Sequence, residues 1–204
     1  MFKEAMSQIK TALILLVLLS VITGLIYPLM VTALAQLLFP YQANGSLILQ
    51  NNRVIGSQYI GQNFRSLAYF WGRPSMTSAY AYNGAASSGS NSGPTNPDFL
   101  ALVKERISQL KQWHPENNQL TPIDLVTASG SGLDPELSPY AAFYQAARVA
   151  KVRQLPEAKV LELINKQIKY RTWGLLGEPR VNVLQLNLAL DALRTSNEQA
   201  PSKP

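Results

Sequence analysis

The chain has 204 residues, a formal net charge of +6, 47% hydrophobic residues, no cysteine and one histidine. The lack of cysteine excludes a disulfide framework, and a single histidine excludes the usual zinc sites. The positive charge is spread without a block of like charge, which argues against nucleic-acid binding and favours contact with a membrane surface or an anionic partner.

An uncharged apolar segment, residues 11–35, lies near the start of the chain. As an α-helix it would be roughly 37 Å long, enough to cross a hydrocarbon core of about 30 Å. Lys3 and Lys10 precede it, and no further Lys or Arg occurs before Arg53. By the positive-inside bias, we predict that residues 1–10 are cytoplasmic and that the chain after the transmembrane helix is extracytoplasmic.

A cleaved signal peptide is the alternative interpretation of this segment. Ala33-Leu34-Ala35 is a small-x-small pattern of the kind that signal peptidase accepts. The apolar region of a signal peptide is about 7 to 15 residues long, whereas this one continues from Thr11 to Thr32. Its length therefore favours a retained membrane anchor.

Four residues within the predicted span distinguish it from a plain anchor: Thr23, Gly24, Tyr27 and Pro28. Pro28 has no N–H to donate to the carbonyl of Gly24, so a kink near Gly24 is expected. Glycine also lets a neighbouring helix approach closely, which would make this site a packing notch for a partner helix. Membrane helices tolerate glycine and proline without any such role, and the sequence leaves both interpretations open.

The remainder, residues 36–194, has the length and composition of one globular domain. Residues 47–50 and 53–56 flank Asn51-Asn52. This pair tolerates positive φ, so the segment predicts a tight β-hairpin at the start of the domain.

Two aromatic-rich segments follow, residues 61–64 and 69–75. We predict short irregular strands whose rings fill the core. Residues 83–97 then consist almost wholly of Gly, Ser, Asn, Pro, Ala and Thr, and a loop of this length is either functional or disordered. We interpret it as an ordered contact loop for a partner. Its candidate contact residues are Ser88, Gly89, Asn91, Gly93 and Asn96.

Asn96, Pro97 and Asp98 form a typical helix start, with a cap, a proline in the first turn and an acidic residue facing the helix dipole. The helix is predicted to continue to about Trp113. His114 follows it, and we predict a solvated cap rather than a catalytic group, because no serine or cysteine motif accompanies it.

Residues 123–127 predict a strand that leads into a glycine-containing loop, residues 128–136. A phosphate-binding loop would need a Gly-Lys-Ser/Thr sequence, and this loop has no lysine. We interpret it as a turn in which Asp134 and Glu136 are solvated.

Three more helices are predicted, beginning at Ser138-Pro139, at Pro156-Glu157 and after Asn182. The first two form a helical hairpin, and the last is largely buried. The polar segment 195–204 is predicted to be a disordered tail. The predicted fold class is therefore α+β: a single N-terminal transmembrane helix, then one extracytoplasmic domain with an N-terminal hairpin and short strands followed by about four helices.

A set of short segments, in order along residues 5–194, resembles the KdpC family, the C subunit of bacterial Kdp potassium-transporting P-type ATPases. These segments are residues 23–24, 27–28, 61–62, 70–75, 82–83, 87–91, 93–96, 126–129, 131–135, 145–150, 177–179, 181–184 and 186–191. Several such motifs in the same order make the resemblance specific.

The resemblance implies an accessory subunit in the bacterial plasma (inner) membrane. Its partners would be a potassium-channel-like subunit, the ATP-hydrolysing P-type subunit and a further small single-span subunit. In the family the C subunit stabilises the assembly and acts as a catalytic chaperone that raises the affinity of the pump subunit for ATP. Gln145 is the candidate for the glutamine linked to nucleotide contact. Because our orientation argument places Gln145 outside, we expect no firmly bound cofactor in this chain and ATP bound through the pump subunit.

The residues themselves agree that this chain is not the catalytic subunit. A P-type ATPase phosphorylates an aspartate in an Asp-Lys-Thr-Gly sequence, and the chain contains no Asp-Lys pair. The alternative function is a solitary membrane-anchored extracytoplasmic hydrolase or binding protein, which would not co-purify with larger membrane proteins.

Overall fold

The structure, a computed structural model, describes the backbone of residues 2–198 and the side chains of residues 4–193. The chain forms two compact units, Met1–Leu47 and Ile48–Pro204.

The first unit is helical. It contains α1 (Phe2–Val21), a π-helical turn (Ile22–Ile26), α2 (Tyr27–Leu38) and the short α3 (Pro40–Ala43). Its apolar helix, Glu4–Leu38, is 35 residues long, and none of its most apolar window is buried within the chain. This confirms the predicted N-terminal helix of spanning length and extends it at both ends beyond residues 11–35.

The second unit contains short strands and helices, as the predicted α+β class requires, but only β1 and β2 precede all of its helices, and the other strands lie between helices. Its strands, with β1 starting at the boundary between the units, are β1 (Leu47–Gln50), β2 (Arg53–Ser57), β3 (Glu136–Leu137), β4 (Ile168–Lys169) and β5 (Arg180–Asn182). Its helices are α4 (Pro97–Trp113), α5 (Pro139–Arg153), α6 (Glu157–Gln167) and α7 (Val183–Glu198).

The predicted hairpin is present. Strands β1 and β2 pair with each other, and Asn51 and Asn52 have φ of 50° and 62°. Two successive positive φ angles are the requirement of the tight hairpin turn whose twist matches that of the strands. A three-stranded antiparallel sheet, in the order β3-β5-β4, completes the β structure, with Val181 opposite both Leu137 and Ile168.

The core lies where α5, α6 and α7 meet the central strand β5. Leu186 and Leu190 lie one helical turn apart on α7 and have no exposed surface. The largest other side chains with less than 2% exposure are Phe70, Tyr144, Gln145, Val149, Val160, Ile164 and Val181. Phe70 belongs to the second aromatic-rich segment, residues 69–75, called the aromatic segment below. The prediction that the rings of this segment fill the core is confirmed for Phe70.

Side-chain caps begin the helices at the residues expected from the sequence. Asn96 Oδ1 accepts from the N–H of Asp98 at 2.9 Å, Ser138 Oγ from Ala141 at 3.2 Å, and Asn182 Oδ1 from Gln185 at 3.0 Å. Helix α7 extends to Glu198, past the end expected from the sequence. The rest of the predicted disordered tail, residues 199–204, lies outside the described residues.

The predicted strand at residues 123–127 is wrong. Ile123–Leu125 is a single 3-10 turn, and the hydroxyl of Thr127 donates to the carbonyl of Ile123 at 2.8 Å. The carboxylate of Asp124 accepts from the N–H of Ser138 at 2.8 Å. A short apolar run occurs in buried strands, helices and turns alike, so it does not by itself identify a strand. No described strand pairs with this segment.

Candidate functional site

The membrane helix is irregular at the predicted notch. The turn Ile22–Ile26 is π-helical, and the N–H of Tyr27 donates to the carbonyl of Ile22, five residues earlier. Pro28 follows in the first turn of α2. Because proline has no N–H, the α-helical bond to the carbonyl of Gly24 cannot form. The irregularity therefore occurs where the sequence predicted a kink.

The residues at this notch differ in whether they could contact lipid or a second helix. The hydroxyl of Thr23 donates to the carbonyl of Leu19 at 2.7 Å, within its own helix. A Cβ placed on Gly24 would meet no atom within 4 Å, and Tyr27 is 59% exposed. The surface at Gly24 is therefore open to lipid or to a second helix.

The polar loop of residues 83–97 is partly fixed against the loop that follows Thr127. The N–H of Ser88 donates to the carbonyl of Ser131 at 2.9 Å. A Cβ on Gly89 would lie 2.7 Å from the carbonyl oxygen of Gly130, and one on Gly132 would lie 2.6 Å from that of Ser88. This close backbone contact requires glycine on both loops.

The remaining candidate contact residues fall into two groups. Asn96 caps α4, so its side chain has a structural role in the chain. Asn91 and Gly93 are exposed. The partner-contact role of this loop stays a prediction, and these two residues are the candidates that the fold leaves accessible.

Gln145 lies on α5 with no exposed surface. Its Oε1 accepts from the backbone N–H of Trp71 at 2.9 Å and from Arg148 Nη2 at 2.8 Å. Its Nε2 donates to the carbonyls of Trp71, at 3.1 Å, and Ala141, at 3.2 Å. All of its polar atoms are thus used within the chain, and a nucleotide could contact them only if these bonds were broken.

Asn187 on α7 binds the backbone of Phe70, the residue before Trp71, in the same way. Its Oδ1 accepts from the N–H of Phe70 at 2.9 Å, and its Nδ2 donates to the carbonyl of Phe70 at 3.0 Å. Two side-chain amides therefore bind two successive backbone units. This explains why the predicted strands at residues 61–64 and 69–75 are wrong: side chains, not a neighbouring strand, satisfy the backbone of Phe70 and Trp71.

His114 is only 5% exposed, so the prediction of a solvated cap is wrong. Its Nδ1 lies 2.8 Å from the carbonyl of Leu110, and its Nε2 accepts from Arg148 Nε at 3.1 Å. Its ring lies 5.0 Å from that of Tyr144. A residue at the end of an isolated helix would be exposed, but here α5 covers the end of α4 and so buries His114.

Arg148 is the centre of this buried polar cluster. It is 6% exposed, and its guanidinium also donates to the carbonyls of Leu67 and Tyr69 and lies 3.9 Å from the centre of the Trp71 ring. Burial lowers the pKa of Arg148 to about 10. Burial also lowers the pKa of His114, with Arg148 contributing in the same direction against the opposing effect of the Leu110 carbonyl. His114 is therefore neutral at pH 7.

Asp134 and Glu136, predicted to be solvated, are partly buried and paired. Asp134 Oδ2 lies 3.2 Å from Arg73 Nη1, and Glu136 Oε2 lies 2.9 Å from Arg180 Nε. Sequence separations of 61 and 44 residues put these partners beyond any local pattern. One pair joins residues 69–75 to the loop before β3, and the other joins β5 to β3.

Sequence reasoning assigned no role to Arg148 or Asn187. A signal was present, because Gln145 and Arg148 fall on the same face of α5 as Ala141 and Val149, at helical spacing. Polar residues on a buried face must find partners, and that rule could have identified them. Within the described residues, no group of three or more His, Asp or Glu side chains is placed to hold a metal ion.

Within the described residues, one apolar helix long enough to span a bilayer is followed by one α+β domain, an arrangement consistent with a membrane-anchored protein. The family model described as "K+-transporting ATPase, c chain" matches residues 9–192. The chain belongs to this family, KdpC.

Curated relatives that carry the same family name are similar to this chain over nearly its whole length. The chain is 57% identical over 188 residues to the potassium-transporting ATPase KdpC subunit of Methylococcus capsulatus, covering 92% of this chain and 99% of that one. It is 56% identical over 189 residues to the protein of the same name from Polaromonas naphthalenivorans, covering 93% and 96%. Family membership makes the chain a subunit of a potassium-transporting ATPase and so favours the subunit interpretation over the solitary hydrolase or binding protein.

Proposed function

We propose that this chain is the non-catalytic accessory subunit of a high-affinity, ATP-driven potassium uptake complex, in which it stabilises the assembly and raises the affinity of the pump subunit for ATP. Its partners are a potassium-channel-like subunit, an ATP-hydrolysing P-type subunit that carries the phosphorylated aspartate, and a further small single-span subunit. Family membership supports the assignment to this complex, and the observation that carries the assembly role is the open notch at Gly24 in an apolar helix of spanning length.

The assembly role follows from how helices associate in lipid. Lipid tails are as apolar as leucine, so association depends on close van der Waals contact and on interhelical hydrogen bonds, and interfaces are enriched in small residues. Gly24 supplies the small residue, and Pro28 leaves a backbone carbonyl without its α-helical donor. A tether would need neither feature.

The effect on ATP affinity is indirect in this proposal. Gln145 is buried with every polar atom bonded, so its side chain supports the fold rather than offering a nucleotide contact. Residues 1–10, on the cytoplasmic side in our topology, are too few to build a nucleotide site. The chain would raise ATP affinity by packing better against the ATP-binding state of the pump subunit, and such couplings typically change an affinity about 5- to 150-fold.

The test is Gly24→Leu in the complex expressed with all its subunits. A Cβ added at Gly24 meets no atom within 4 Å beyond the local helix backbone, so we attribute an assembly defect to contact with a partner. We expect the variant to insert normally, to co-purify poorly in mild detergent and to raise the KM for ATP of the complex that remains. Pro28→Ala restores an N–H donor and should have the same effect more weakly.

The matched control is Ala12→Leu, which adds similar volume to the same helix away from the irregular turn. It should assemble like the parent chain. If Gly24→Leu also assembles normally and leaves the KM for ATP unchanged, the helix is a tether and the proposed role of the notch is wrong.

A further inference from the structure

A cleft of about 640 Å³ lies in the second unit, between α4 and the aromatic segment. Three arginines line it, Arg65, Arg73 and Arg106, and none of the described residues that line it is acidic. Elsewhere in the domain, partly buried arginines do find carboxylates, as Arg180 does with Glu136.

The pairing of each arginine shows how much positive charge is left over. Arg73 is paired with Asp134 at 3.2 Å. Arg106 donates to a neutral acceptor, the carbonyl of Val126, at 2.9 Å. Among the described residues, the hydrogen-bond partner of Arg65 is the neutral amide of Asn63, whose oxygen, when turned toward the guanidinium, accepts from Nε at 3.1 Å.

A fourth guanidinium, that of Arg148, adds positive charge behind the wall of the cleft. The Trp71 ring lines the cleft, and Arg148 is stacked on that ring at 3.9 Å. All the hydrogen-bond partners of Arg148 in the described structure are neutral: two carbonyls, Gln145 and His114. Burial lowers the pKa of both Arg106 and Arg148, and the charge of Glu105 partly opposes this for Arg106. The lowering reflects the cost of holding charges away from water.

The walls also have a large apolar surface. Arg106, Gln109, Leu110 and Trp113 form one face of α4, and Trp113 is 50% exposed. Aromatic rings beside arginines are the side chains most enriched where proteins bind other proteins. The volume lies within the range of about 300–1,000 Å³ that encloses a drug-sized ligand or a few side chains.

We propose that this cleft binds a carboxylate-bearing peptide segment of another subunit of the complex. Guanidinium groups pair with carboxylates through two parallel hydrogen bonds, and the rings would hold the apolar side chains next to the acidic one. A phosphate fits less well, because α4 offers the cleft its C-terminal half, whose dipole is negative, whereas phosphates favour helix N-termini and their N–H groups. The proposal rests on the assembly role proposed above and names the chemistry of one contact.

Photo-crosslinking in the intact complex tests the proposal. Benzoylphenylalanine replaces Trp113 in the cleft in one full-length chain and Tyr27 in the membrane helix in another. We expect the position-113 probe to crosslink to a segment of another subunit that contains Asp or Glu, identified by mass spectrometry. An adduct with lipid alone, with a segment that lacks Asp and Glu, or with no partner would overturn the proposal.

The position-27 probe separates the two proposals. If it crosslinks to a partner helix while position 113 does not, the cleft proposal fails and the assembly role stands. If neither probe reaches another subunit, both fail.

Charge reversal gives an independent measurement. Arg65 is exposed, and its hydrogen-bond partner in the part of the chain that the structure describes is Asn63, so Arg65→Glu should leave the domain folded. We expect it to weaken rebinding of the purified chain to a complex that lacks this subunit by roughly ten-fold or more at low salt, and less at high salt. The control is Arg53→Glu, an exposed arginine on β2 outside the cleft. Equal effects of the two variants, or no effect of Arg65→Glu, would contradict the proposal.

Discussion

At the scale of single residues, the most instructive feature is the use of side-chain amides as backbone partners. Gln145 and Asn187 each bind both the N–H and the carbonyl of one residue, Trp71 and Phe70 respectively. The backbone between two aromatic rings is thereby buried without belonging to a sheet. Arg153 contributes in the same way by donating to the carbonyl of Ala68 at 2.7 Å.

Gln145→Ala should therefore destabilise the domain. It removes the side-chain partners of the partly buried N–H and carbonyl of Trp71, and a loss of about 2–4 kcal/mol in the free energy of unfolding is expected from two unsatisfied groups. The measurement is urea denaturation of the full-length chain in detergent, followed by tryptophan fluorescence. Gln109→Ala is the control, because that side chain is exposed and, among the described residues, bonds to Glu105 alone.

The same variant addresses the predicted nucleotide role. If Gln145→Ala keeps full stability yet raises the KM for ATP of the assembled complex, a direct nucleotide contact is favoured over the structural role. If both the stability and the ATP affinity fall together, the effect on ATP follows from the damaged fold.

His114 should make the stability of the domain depend on pH. Its pKa in the folded chain lies below its ordinary value, so as the pH falls below about 6.5 the unfolded chain takes up a proton before the folded chain does. The free energy of unfolding should be unaffected by His114 above this pH and should decrease as the pH falls toward the folded-state pKa. Thermal melts between pH 7 and pH 5 would measure this.

His114→Gln is the matched variant for that experiment. A glutamine oxygen can still accept from Arg148 but takes up no proton, so its stability should change less across this interval. The same slope in parent and variant would show that other groups cause the pH dependence.

At the scale of elements, α7 carries the buried face that joins the helices to the central strand. Val183, Leu186 and Leu190 are each less than 5% exposed, and α7 packs against both α6 and β5. Its start is set by the cap at Asn182, whose Nδ2 also donates to the carbonyl of Gln58 at 2.8 Å. One asparagine thus starts the helix and binds the segment after the hairpin.

Leu190→Asp should unfold the domain. A carboxylate at a position with no exposed surface and no partner costs several kcal/mol, about the stability of a whole domain. The parent chain should melt cooperatively by tryptophan fluorescence and the variant should not. Leu120→Asp makes the same chemical change at a side chain that is 85% exposed and should melt like the parent. An unchanged melt of Leu190→Asp would contradict the core assignment.

At the scale of the whole molecule, the charges around the membrane helix predict its orientation. A reporter fused after Arg194 should be active outside the cell membrane and silent inside, because Lys3 and Lys10 precede the span and the next Lys or Arg is Arg53. Protease added to right-side-out vesicles should digest the domain. Protection there, with digestion only in inverted vesicles, would place the domain in the cytoplasm and would allow it to contact ATP directly.

The sequence by itself determined the features that depend on neighbouring residues. The membrane helix follows from apolar length, and the hairpin follows from Asn51-Asn52, whose short polar side chains tolerate positive φ. The helix starts at Asn96, Ser138 and Asn182 follow from caps that bond two or three residues ahead. Each of these requires only interactions within one turn or one span.

Only the tertiary structure decided which polar groups are buried and what satisfies them. His114 and Arg148 are 34 residues apart and meet because α5 covers the end of α4. The aromatic segment is irregular because Gln145 and Asn187, 74 and 117 residues further along, bind its backbone. A periodic pattern records which face of an element is buried, but it does not record which distant side chain supplies the hydrogen bond, because that depends on how the elements pack.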